Sequence, residues 1–198
     1  MSRLSTAARS RNYLWLEGDS YSAGGEGVYL GEKLATATGR GITVTGVGSG
    51  TLQDAAARIS DSSRAALRTQ CVLIVWDGDR NGYVDVATYL AQFASIAAAM
   101  PHSNFLFLPP LRRENLSAQI NTDVASIQAG LASTYPSNYW DAQAYLQTQG
   151  DPVADAADIA AGVTPRSLLI PGFDIHLTDA AMTLVASQIA SVITANGW

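Results

Sequence analysis

Residues 71–76 read Cys71-Val72-Leu73-Ile74-Val75-Trp76, six apolar side chains in succession, and the polar cluster Asp77-Gly78-Asp79-Arg80-Asn81-Gly82 follows at once. A strand with one face in water alternates apolar and polar residues, whereas a run that is apolar at every position has both faces covered. Runs of similar length recur, so strands are expected near 12–17, 42–47, 71–76, 105–108 and 138–142, with helices at about 26–38, 52–68, 84–99, 114–134 and 178–195. Helix starts carry caps, Thr51 before Leu52-Gln53-Asp54 and Thr178 before Asp179, and stops fall at Gly39 and Met100-Pro101. Doubly buried strands that alternate with helices indicate an α/β domain, a three-layer α/β/α sandwich around a mostly parallel, five-stranded sheet. Residues 149–172, rich in Gly, Pro, Asp and Ala, read as a long loop. No repeat, low-complexity tract or linker interrupts the chain, so residues 1–198 read as one domain.

Composition excludes several function classes. Charged residues make up only 15% against 47% hydrophobic, which marks a globular chain and not a disordered one. A net charge of −5, with no basic stripe beyond Arg112-Arg113, argues against nucleic acid as a partner. The single cysteine, Cys71, opens an apolar run and reads as a small buried hydrophobe; one cysteine makes no internal disulfide. No apolar segment reaches the roughly 18–20 residues of a membrane span, and Met1 to Asn12 lack the apolar core of a signal peptide. Synthesis in the cytoplasm is therefore expected, and release on lysis or a place in a phage particle would be compatible with it. The oligomeric state is not legible.

In open α/β sheets function sits in the loops after the carboxyl ends of the strands. Here those are Gly18–Gly25, Gly46–Thr51, Asp77–Gly82 and Pro109–Glu114. The first reads Gly18-Asp19-Ser20-Tyr21-Ser22, a strand end that turns through small residues into a helix. Such a turn exposes a serine hydroxyl beside free backbone N–H groups, as a nucleophile for acyl transfer requires, although a helix cap would use the same residues and Ser22 competes for the role. His102 enters a strand at the opposite edge, so His176, in Phe173-Asp174-Ile175-His176-Leu177-Thr178, is the one histidine placed to reach Ser20. Asp174 is the nearest acceptor for its second ring nitrogen. The turn Gly46-Val47-Gly48-Ser49-Gly50-Thr51 departs from the dinucleotide fingerprint in spacing and suits a turn that aims an N–H at an oxyanion. Asn81 can donate its amide to the same oxygen; Asp79, acceptor-only when ionised, cannot.

In order and spacing these segments resemble the SGNH, or GDSL-like, hydrolase superfamily. Its four blocks are Gly-Asp-Ser near the N-terminus, a glycine after the second strand, Gly-x-Asn-Asp after the third, and Asp-x-x-His near the C-terminus. The resemblance implies a flavodoxin-like sandwich, with Ser20 as nucleophile and His176 as general base. It also implies an oxyanion hole formed by the N–H of Ser20, an N–H within Gly48–Gly50 and the Asn81 amide, and neither a cofactor nor a metal. Aligned on Thr51, the family glycine falls at Ser49, with Gly50 beside it. The third block, Gly78-Asp79-Arg80-Asn81, is one residue longer than Gly-x-Asn, and in the last the acid stands two residues before His176, with Phe173 in the usual position. Either Asp174 completes a triad or a backbone carbonyl supports a Ser–His dyad. The expected activity is hydrolysis of short acyl esters, with O-acetyl carbohydrate as a substrate class. Trp76, Arg112 and Tyr83 are expected to line a sugar cleft, and Asp19 to stabilise the first loop or touch substrate. Two other readings remain: a catalytically silent glycan-binding module on the same fold, and a nucleotide binder resting on the Gly-rich turn alone.

Overall fold

The computed structural model describes residues 12–78 and 80–198. Four strands, β1 (Tyr13–Gly18), β2 (Gly41–Val44), β3 (Cys71–Trp76) and β4 (Phe105–Leu108), form one parallel sheet in the order β2-β1-β3-β4. Successive side chains of a strand point to opposite faces. Leu14, Leu16, Val72, Ile74, Leu106 and Leu108 therefore face one layer, packed by α2 (Leu30–Thr38) and α9 (Asp179–Ala195). Trp15, Leu73, Val75, Phe105 and Phe107 face the other, covered by α3 (Leu52–Ser60), α5 (Val86–Ala99) and α6 (Ala118–Thr134). Both layers are fully buried, as the uninterrupted apolar run of β3 requires. Among the described residues no helix is long and apolar enough to cross a membrane.

Three expectations need correction. The sheet has four strands and not five: the segment expected at 138–142 contributes only an isolated bridge between Phe107 and Tyr139. The Asn138 amide donates to the carbonyls of Ser103 and Phe105 (2.6 and 2.7 Å), and Asp141 at once caps α7 (Ala142–Gln149) by accepting from the Ala144 N–H. The helix expected over 52–68 breaks at Asp61. There the Arg68 guanidinium takes the Ile59 and Asp61 carbonyls, and the chain restarts as a 3₁₀ turn (Ser62–Arg64) and α4 (Ala65–Gln70).

Residues 149–172 also carry structure of their own, with α8 (Ala156–Ala161) and a 3₁₀ turn at Arg166–Leu168. Asp155, 2% exposed, ties this segment together by accepting from the Asp151 N–H, the Ser167 N–H and the Ser167 hydroxyl. Burial pushes its pKa up, but these bonds outweigh burial and hold it below the ordinary aspartate value. The stabilisation is then present above the unfolded-state pKa and is lost as pH falls through the lower folded one. Asp155→Ala is expected to cost on the order of 2–3 kcal/mol at neutral pH, measured by urea unfolding, with the gap to wild type closing in acid. A gap below about 0.5 kcal/mol at pH 7 would show that these bonds contribute nothing net.

Candidate active site

Ser20 owes its place to the end of β1. Gly18 has φ +138°, and a Cβ there would lie 2.0 Å from the Trp76 carbonyl oxygen, so only glycine lets β1 turn so close to β3. Asp19 donates its N–H to that carbonyl and caps the short helix α1 (Ser20–Ala23), its carboxylate accepting from the Tyr21 N–H at 2.9 Å. Asp19 is wholly buried, which corrects its expected contact with substrate and leaves it as a former of the turn. Ser22 is buried too, its hydroxyl within hydrogen-bond distance of the Glu17 and Trp76 carbonyls. Ser20 alone of the two stays partly open, and its Oγ lies 2.9 Å from Nε2 of His176.

Backbone bonds fix the turn that carries His176, and Tyr21 and Gly25 flank its ring. The Ile170 N–H donates to the His176 carbonyl and the Thr178 N–H to that of Leu168, which fixes the turn into α9. The Tyr21 hydroxyl donates to the Ile175 carbonyl, and its ring meets the His176 ring edge-on at 5.8 Å. Gly25 closes the other side: a Cβ there would stand 2.7 Å from both Cε1 and Nε2 of His176. The second ring nitrogen, Nδ1, is buried and has no hydrogen-bond partner among the described residues. Asp174 lies on an exposed turn with φ +42°, its N–H facing the Ile170 carbonyl at 3.4 Å and its carbonyl 3.5 Å from the Asn115 amide. Neither the Asp174 carboxylate nor a backbone carbonyl takes the place beside Nδ1 that the sequence offered to each.

The three loops expected to supply oxyanion donors carry N–H groups without a partner among the described residues. Ser20, Gly48 and Ser49 have N–H groups that donate to no described group. Ser49 adopts φ +59°, a left-handed conformation rare for serine. Gly50 drops out, because its N–H closes a turn onto the Val47 carbonyl at 2.8 Å. After β3 the chain turns at Arg80 and Gly82, both with positive φ, and Gly82 packs against Thr51 at the start of α3. Between them the Asn81 Nδ2 is buried and has no hydrogen-bond partner among the described residues. Asp79 lies outside the described residues. Below this loop the Tyr89 hydroxyl donates to the buried Asp77 carboxylate at 2.8 Å, and burial together with that carboxylate raises the tyrosine's pKa well above its ordinary value.

The expected sugar cleft does not form as drawn. Trp76 is fully buried, its indole N–H bonded to the Pro109 carbonyl and its ring against Tyr21 at 4.7 Å, so it is core. Tyr83 gives its hydroxyl to Asp123, and its pKa is pushed up to about 12, first by burial and then by that partner. Arg112 lays its guanidinium over Gly162, in a cleft of about 530 Å³ shared with Leu116, Asn121 and Asp158, and bonds neither Ser20 nor His176. Glu17, Tyr21 and Gly25 were overlooked in the sequence. Glu17 alone had a signal, as a lone acid in a run of buried apolar residues.

Neither protein-family models nor curated proteins match the chain. Solved structures do. A Desulfitobacterium hafniense protein assigned to the G-D-S-L lipolytic family aligns over 91% of this chain and 99% of its own, with a TM-score of 0.70 at 15% identity. The chain has the SGNH-hydrolase fold. A lipase/acylhydrolase from Enterococcus faecalis aligns over 94% of this chain and 96% of its own (TM-score 0.65, 13% identity). An acetylxylan esterase from Geobacillus stearothermophilus aligns over 93% and 94% (TM-score 0.62, 14% identity). In this chain's version of the SGNH fold, the turn after β1 packs on Gly46, Thr51 packs on Gly82, and Gly25 packs on His176, so the loops meet at one edge of the sheet.

Proposed function

We propose that the chain is a serine esterase that hydrolyses short acyl esters, O-acetyl groups on carbohydrate among them, through an acyl-enzyme on Ser20. The observation that carries this reading is the 2.9 Å approach of Ser20 Oγ to His176 Nε2 on a partly open turn. His176 takes the Ser20 proton as Oγ attacks the ester carbonyl, and the N–H groups of Ser20 and Ser49 with the Asn81 amide receive the oxyanion. The imidazolium then returns the proton to the leaving alcohol. Water, deprotonated by the same imidazole, attacks the acyl-enzyme, and the carboxylic acid leaves as Ser20 recovers its proton. The shared fold of the acetylxylan esterase supports the acyl-ester class.

Intact-protein mass after treatment with a fluorophosphonate tests the reading. One adduct is expected on wild type, none on Ser20→Ala and a slowed adduct on His176→Ala. Saturable sugar binding with no adduct would move the assignment to a silent glycan-binding module, the reading that the unpartnered Nδ1 favours. Asp174 makes no bond to the imidazole among the described contacts, which supports the dyad reading, and on that reading Asp174→Asn should change kcat/KM by less than about threefold. A loss approaching 10⁴-fold, the scale of an acid that sets the tautomer, would show that the turn carries Asp174 to Nδ1 during turnover. Gly25→Ala should push the imidazole off Ser20 and lower kcat/KM by about ten- to a hundredfold, since displacements near 1 Å carry such costs. Unchanged turnover in that variant would show that the ring has room to move.

A further inference from the structure

Glu17 is wholly buried at the next-to-last position of β1, three residues before Ser20, in a strand whose other inner side chains are apolar. Its Oε1 accepts from the Gly18 N–H at 3.1 Å and from Nε and Nη2 of Arg58 on α3 at 3.1 and 2.6 Å. Its Oε2 accepts from the Thr45 hydroxyl at 2.6 Å, and the Thr45 oxygen in turn accepts from the Trp15 indole N–H. The carboxylate thus grips both arms of the candidate site from below. One arm is the turn from Gly18 to Ser20. The other is the loop that leaves β2 through Thr45 and carries Ser49. Two backbone bonds run alongside, Thr45 N–H to the Leu16 carbonyl and Val47 N–H to the Gly18 carbonyl, both at 3.0 Å.

Such a network is poorly explained by stability. A buried ion pair repays its desolvation only partly, and exchanging both partners for apolar residues of similar volume is often neutral or stabilising. An apolar residue at position 17 would simply continue the core layers around it. What the network supplies is fixed geometry, since two guanidinium N–H groups converge on Oε1 while the Thr45 hydroxyl holds Oε2, and charge-assisted bonds to both oxygens leave the carboxylate little freedom to turn. Resting on the esterase reading above, we propose that Glu17, with Arg58 and Thr45, is a positioning residue. It sets the N–H groups of Ser20 and Ser49 at the spacing the tetrahedral oxyanion needs. Donors held in advance act only where charge develops, so the network should affect kcat and leave KM alone.

The test compares wild type, the double variant Glu17→Leu/Arg58→Met and the milder Thr45→Val on a short acyl ester, alongside fluorophosphonate labelling and thermal unfolding. The double variant removes both charges together and so leaves no unpaired ion in the core. It is expected to melt within a few degrees of wild type and to keep KM within about twofold. Its kcat should fall about ten- to a hundredfold, and its labelling should slow in parallel. Thr45→Val keeps the ion pair, cuts the tie to the second loop and is expected to lower kcat about threefold or more; it decides the matter if the double variant does not fold. In the Asn81→Ala background the double variant should cost clearly less than in wild type, because both changes act on one oxyanion site. Wild-type kcat in the double variant, or in Thr45→Val where only that variant folds, overturns the positioning role and leaves the esterase reading standing. A wild-type protein that neither turns over esters nor labels at Ser20 overturns both.

Discussion

Replacing Ser20 with alanine is expected to lower kcat for a short acyl ester by about 10⁵–10⁶-fold, with KM little changed. The size follows from the chemistry. Without Oγ there is no acyl-enzyme, and what remains is water attacking a carbonyl held by the oxyanion donors and by binding alone, a residual of roughly 10³–10⁴ over the uncatalysed reaction. His176→Ala should cost about as much, because its Nε2, 2.9 Å from Ser20 Oγ, is the base that takes the serine proton in this mechanism. The two losses should not multiply. The double variant is expected within a few-fold of either single, as groups that act as one unit are strongly non-additive. Stability should hardly move, since Ser20 is only partly buried and gives up one side-chain contact. Steady-state hydrolysis by the three variants, with melting curves as control, measures all of this. Activity in Ser20→Ala within tenfold of wild type would remove Ser20 from the mechanism.

How far the chain could be read before its structure follows from the range of the forces involved. The doubly apolar run 71–76 announces a covered parallel strand through local pattern alone, and it lies fully buried between β1 and β4. Thr51 and Thr178 announce helix starts because a cap acts over three residues, and both accept from the N–H three residues on. The meeting of Ser20 and His176 is legible from topology, since strand ends and the turn into the last helix must share one edge. Long-range pairings are another matter. Nothing near Glu17 says that its partner is Arg58, 41 residues away, and nothing near Asn138 says that its amide will consume the carbonyls of the neighbouring edge. Trp76 shows a different limit. A tryptophan at a strand end suits a cleft and a core equally by composition, and the Tyr21 ring and Pro109 carbonyl that decide for the core come from distant segments.

Asn81 is where the spacing of the third block and the chemistry part company, and its variant has the second-largest expected effect. Asn81→Ala should lower kcat by about 10²–10³-fold, some 2.7–4 kcal/mol of transition-state stabilisation, with KM within about twofold. Its Nδ2 is buried and unpartnered, a state that costs about 1–3 kcal/mol in the resting protein unless something repays it. An oxyanion repays it, because a donor already stripped of water gains its whole bond when charge develops on the carbonyl oxygen. The same argument predicts the sign of a second observable. Removing an unsatisfied buried donor should leave the melting temperature unchanged or raise it, while any residue kept for structure would lower it on truncation. Asn81→Asp separates charge from shape: a carboxylate of nearly the same size can only accept when ionised and should be at least as inactive as alanine at neutral pH. A kcat loss under about threefold in Asn81→Ala, or a lowered melting temperature with kcat intact, would assign Asn81 to the turn. The oxyanion would then be left to the N–H groups of Ser20 and Ser49.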